Sequence, residues 1–86
     1  MYEWDKFKDK TNRNKHGVGF ELAYGFDWAA AVVEEDERFD YGEVRYRAFG
    51  RVAGKGYCLA FTFRDGNIRV IRMRPMHEKE TRRYGI

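Results

Sequence analysis

Proton-transfer groups and cations recur along this chain in a pattern suited to phosphodiester chemistry. Lys15 and His16 stand side by side near the start. Nine arginines (Arg45, Arg47, Arg51, Arg64, Arg69, Arg72, Arg74, Arg82 and Arg83) crowd the second half among aromatic residues, with Glu80 and Tyr84 between and after the last of them. These are the parts a ribonuclease without a metal needs. RNA carries its own nucleophile, the 2′-hydroxyl. The protein must take the 2′ proton with a base such as Glu or His and protonate the 5′ leaving oxygen. It must also hold the phosphoryl oxygens as negative charge develops, a task that suits the arginine fork. The same inventory fits a passive RNA binder or a basic module that seats an acidic partner, and composition alone does not separate the three.

Other chemistries fit less well. The chain contains no serine, which excludes a Ser–His–Asp triad. Its lone Cys58 rules out an internal disulfide or cysteine-rich zinc site and reads as a small core residue on a strand. His16 and His77 have no third ligand at metal-binding spacing, so neither metal nor cofactor is expected. Gly54-Lys55-Gly56 lacks the frame of a phosphate-binding loop and reads as a hairpin turn.

Charge is split along the chain. Residues 1–43 hold 6 Lys/Arg against 11 Asp/Glu, and residues 44–86 hold 11 against 3. The net charge of +3 thus hides a basic pole that attracts polyanions. Eighty-six residues, 43% of them hydrophobic and 17% aromatic, predict one domain with a real core. No apolar run approaches a membrane span and no signal-peptide pattern opens the chain, so a cytoplasmic location is expected.

The elements that position these groups follow from local signals. Asp5 is the expected N-cap of a helix that stops at Lys15-His16-Gly17, with Trp4, Phe7 and Thr11 on one face. A second helix is expected over Phe20–Phe26, a strand over Ala29–Glu34 whose alanines leave a helical extension open, and a solvated acidic loop from Glu35 to Asp40. Three antiparallel strands follow. Asp65-Gly66 predicts a two-residue hairpin pairing Arg64 with Asn67, Thr62 with Arg69, Ala60 with Ile71 and Cys58 with Met73. A four-residue loop over Ala53–Gly56 would pair Val52 with Tyr57 and Arg47 with Thr62. Alternation then gives a core face of Val44, Tyr46, Ala48, Val52, Tyr57, Leu59, Phe61, Phe63, Ile68 and Val70. The other face carries Arg45, Arg47, Arg51, Arg64 and Arg69, while Arg72 and Arg74 fall at the end of the core face. Such a row of like charges needs an anion or internal carboxylates from Glu43, Glu78 or Glu80. Pro75 breaks the last strand, and Met76–Tyr84 predicts a terminal helix that packs Tyr84 toward the arginine strand or docks on another chain.

The succession of motifs resembles the BrnT-type toxins. It comprises Tyr-Glu-Trp-Asp at 2–5, Asn-Arg-Asn-Lys-His-Gly-Val at 12–18, Phe-Glu-Leu-Ala at 20–23, Gly42-Glu43-Val44-Arg45 with Gly50, and Ile68-Arg69-Val70-Ile71 with Arg74, Glu80 and Tyr84. The resemblance implies a RelE-like α+β fold, with two N-terminal helices and a short C-terminal helix on an antiparallel sheet of about four strands. It implies a type II toxin that cleaves RNA and inhibits translation, and a BrnA-type DNA-binding antitoxin in a hetero-oligomer. Carried over by position, the catalytic candidates are His16, Arg69, Arg74, Glu80 and Tyr84. Lys15, Arg45, Arg47 and Arg72 are the RNA-binding candidates. Arg72, Met73, Pro75 and Met76-His77 depart from the family pattern at this edge, and His77 adds an imidazole that the pattern lacks.

Overall fold

The computed structural model describes all 86 residues. Five strands form one mixed sheet in the order β1-β5-β4-β3-β2: β1 Tyr2–Glu3, β2 Val32–Glu35, β3 Tyr46–Val52, β4 Lys55–Arg64 and β5 Asn67–Pro75. Helices α1 (Lys6–His16) and α2 (Glu78–Tyr84) and two 3₁₀ segments, Phe20–Gly25 and Trp28–Ala30, complete the chain. The expected four antiparallel strands become five because Tyr2 and Glu3 pair parallel to Ile68 and Arg69. The expected strand over Ala29–Glu34 begins only at Val32, and the second helix is a 3₁₀ helix.

Helix α1 begins and ends as its sequence dictates. The Asp5 carboxylate accepts from the amides of Phe7 and Lys8, and Gly17 closes the helix at φ 75°. Its inward face differs from expectation, for Phe7 is 82% exposed. Asn12 turns inward instead. Its side-chain amide donates to the Met73 and Val18 carbonyls and accepts from the Met73 amide. The side chain thereby satisfies the open edge of β5 beyond the point where β1 ends.

The core lies on one face of the sheet, under the 3₁₀ segments. Phe20, Ala23 and Phe26 pack there on Ala48, Leu59, Phe61, Val70 and Met73. Gly50 lets the chain close over that face, since a Cβ there would sit 2.7 Å from the Phe26 ring. Of the residues expected in the core, Val44 and Phe63 are exposed.

Two register findings correct the expected pairing. The β3–β4 turn has two residues, Ala53 and Gly54, both with positive φ (49° and 82°), so Val52 pairs with Lys55 and Arg47 with Ala60. That slip of two leaves the faces unchanged. The β4–β5 hairpin starts as expected, from Arg64 opposite Asn67 to Thr62 opposite Arg69. A bulge then intervenes: Val70 pairs with Phe61 and Arg72 with Ala60, leaving Ile71 as the extra residue. The bulge moves Arg72 and Arg74 off the core face, where simple alternation put them, and brings Met73 into the core. Arg74 now lies opposite Cys58, and Cys58 opposite Phe49, on the far face.

Candidate active site

On the far face the arginines meet carboxylates supplied by four different parts of the chain. Arg74 makes a bidentate pair with Glu80 (2.8 and 2.9 Å), Arg47 bonds Glu34 (2.8 Å), Arg69 bonds Glu3 (2.8 Å) and Arg45 bonds Glu43 (2.9 Å). Glu43 also lies 3.7 Å from Arg64. Of the expected internal neutralisers, Glu43 and Glu80 serve; Glu78 instead lies 3.9 Å from Arg82 on its own helix. Glu34 and Glu3 were not foreseen. Each sits directly across a strand pair from its arginine, Glu34 opposite Arg47 and Glu3 opposite Arg69.

Helix α2 docks over this face. Glu80 accepts from the His77 amide at the start of the helix and holds Arg74 with both oxygens. Those donors pull its carboxyl down to about 2, the Arg74 hydrogen bonds contributing most. Tyr84 stacks on Phe49 at 4.1 Å and donates its hydroxyl to Glu34 at 3.1 Å. Burial and the Glu34 contact raise the Tyr84 phenol above its usual range. Beneath the helix, burial pushes the Cys58 thiol up to about 11, as expected of a packed rather than a nucleophilic cysteine.

Two clefts flank these pairs. The first, about 320 Å³, runs between α1 and the bulge; Lys8, Lys15, His16, Arg45 and Arg72 line it, with Ile71 on its floor. The second, about 310 Å³, runs along α2 and is lined by Arg47, His77, Lys79, Glu80, Arg83 and Tyr84. The structure thus brings together Lys15, His16, Arg45 and Arg72 at one cleft and Arg47, Glu80 and Tyr84 at the other. Arg74 lines neither cleft itself and is bonded to Glu80, which lines the second. Arg69 lines neither cleft and is held at the β1 edge by Glu3.

The first cleft carries free positive charge and no carboxylate in its lining. Lys8, Lys15 and Arg72 have no carboxylate partner within 4 Å. Among them His16 is held below the usual imidazole range, first by burial and then by Lys15, Arg72, Arg74 and His77. A neutral imidazole beside unpaired cations can accept a proton while the cations hold an anion. Lys8 was not anticipated here, although its spacing from Asn12, Lys15 and His16 places all four on one helical face. No three His, Cys, Asp or Glu side chains converge as a metal-ligand set.

The model of a protein family described as the ribonuclease toxin BrnT of type II toxin–antitoxin systems matches residues 4–80. The chain belongs to the BrnT toxin family. Membership in BrnT gives the basic face its context: a ribonuclease toxin has an RNA target, and a type II toxin has an antitoxin partner. The BrnT match takes in both clefts up to Glu80, and Tyr84 lies beyond it. No curated protein matches the chain significantly. No helix is long and apolar enough to cross a membrane.

Proposed function

We propose that this toxin is an endoribonuclease that cleaves RNA by attack of the 2′-hydroxyl on the adjacent phosphorus, without a metal ion, and so inhibits translation. The observation that carries this reading is His16, kept neutral in a cleft whose other charged lining is cationic. His16 takes the 2′ proton. Lys15 and Arg72 hold the phosphoryl oxygens, and Arg45 and Lys8 track the flanking backbone. Arg74 and Glu80 act as a pair. With both Nη groups on Glu80, Arg74 fixes α2 on the sheet. Glu80, with its carboxyl near 2, is a weak base, and holding Arg74 is the role we assign to it. Tyr84, stacked on Phe49 and bonded to Glu34, anchors the end of α2 beside Arg47. Arg69 supports β1 through Glu3.

The 86 residues act as one toxin domain in the cytoplasm, where RNA and the translation machinery lie. A BrnA-type DNA-binding antitoxin in a hetero-oligomer is the partner, and covering the clefts would silence the toxin. The test uses one RNA oligonucleotide and its copy with a single 2′-deoxynucleotide at the cleaved position. Cleavage of the first and survival of the second at that position supports the reading. Equal cleavage of both refutes 2′-hydroxyl attack. No cleavage of either by a folded sample that still binds its antitoxin favours a non-enzymatic module whose basic face seats that partner.

A further inference from the structure

His77 is an imidazole at this face that the reaction above leaves unused. It stands at the N-cap of α2, with its side chain 69% exposed and Nδ1 3.8 Å from Glu80 Oε1. Chain direction brings it to His16. β1 runs parallel to β5 and α1 follows it, so Asn12 lies beside Met73, farther along β5 than the Tyr2–Ile68 pair. From Asn12 to His16 the helix advances about 6 Å, and from Met73 to Pro75 the strand advances about 6.6 Å. With α1 running along β5, His16 falls near the level of Pro75, two residues before His77. His77 is also among the charges that hold His16 below the usual imidazole range. The Arg74–Glu80 pair lies beside them and holds the helix that carries His77.

We propose, resting on the ribonuclease reading above, that His77 is the general acid of this toxin. His16 accepts the 2′ proton as the 2′ oxygen bonds to phosphorus. The P–O5′ bond breaks, and the His77 imidazolium gives its proton to the departing 5′ oxygen. A 2′,3′-cyclic phosphate and a 5′-hydroxyl result, and the two imidazoles exchange protons with solvent to reset. Nδ1 faces the Glu80 carboxylate at 3.8 Å, which leaves Nε2 for the leaving oxygen.

The test compares an ordinary RNA oligonucleotide with one whose 5′-bridging oxygen at the cleaved position is sulfur, a leaving group that needs no proton. His77→Asn is the variant, because asparagine remains a good N-cap while losing the acid. Removal of a general acid slows the oxygen substrate by about 10²-fold or more, while the sulfur substrate stays within a few-fold of the unmodified toxin. His16→Ala slows both. Equal loss on both substrates, or no loss on the oxygen substrate, overturns the assignment. If the oxygen substrate still gives cyclic phosphate ends, only His77 has failed. If the unmodified toxin cleaves neither substrate, the ribonuclease reading fails with it.

Discussion

Glu80→Gln isolates the charge at the heart of the α2 interface, because glutamine keeps the shape and can still accept from the His77 amide. The Glu80 carboxyl is drawn from its usual 4.5 to about 2, chiefly by Arg74. At about 1.4 kcal/mol per pH unit that interval sets a ceiling near 3.5 kcal/mol. The Arg74 and Glu80 side chains are 15% and 18% exposed, and solvent screening brings the expected contribution to about 1–2 kcal/mol. The sign follows from the depressed folded-state value. The stabilisation is complete above about pH 4.5, falls to less than half near pH 3, and is gone below about pH 2. Urea unfolding of both proteins at pH 7 and pH 3 measures it. The variant should be about 1–2 kcal/mol less stable at pH 7, roughly 5–15 °C in Tm, and the gap should more than halve at pH 3. An equal gap at both pH values would refute the reasoning and make the loss one of packing.

Other expectations follow from the same geometry. Asn12→Ala strands the Met73 amide and two carbonyls, at a cost of about 3–5 kcal/mol; denaturant unfolding checks this, with early loss of amide protection at Met73. Arg72→Ala should leave stability within about 0.5 kcal/mol. It should weaken RNA binding at all sequences, with the salt slope reduced by about 0.7, read by titration at several salt concentrations. Cys58, with its thiol near 11 and 4% exposed, should resist alkylation in the native protein at pH 8 and react on unfolding.

What the sequence made legible was local. Asp5 and Gly17 bound α1 because each acts on amides or angles a few residues away. Asp65-Gly66 set the last hairpin for the same reason, its φ values of 52° and 80° matching the required turn. Lys15, His16, Arg45 and Arg72 could be named as candidates, but no local signal places them at one cleft. That depends on the bulge at Ile71, two residues before the Met73 that Asn12 bonds. The two-residue β1 is too short to show a period, and with it went Glu3 as partner of Arg69. Glu34 as partner of Arg47 was hidden similarly, because the β2–β3 register depends on contacts across a long loop. Phe7 shows the converse: helical spacing marked an inward face, and the edge of β5 took Asn12 instead.

The most direct measurement is to incubate the purified toxin with a defined RNA in excess EDTA and identify the new ends. The account predicts 2′,3′-cyclic phosphate or 3′-phosphate ends opposite 5′-hydroxyls, lost in His16→Ala while that variant remains folded. Cleavage that EDTA abolishes, or 5′-phosphate ends, would contradict it.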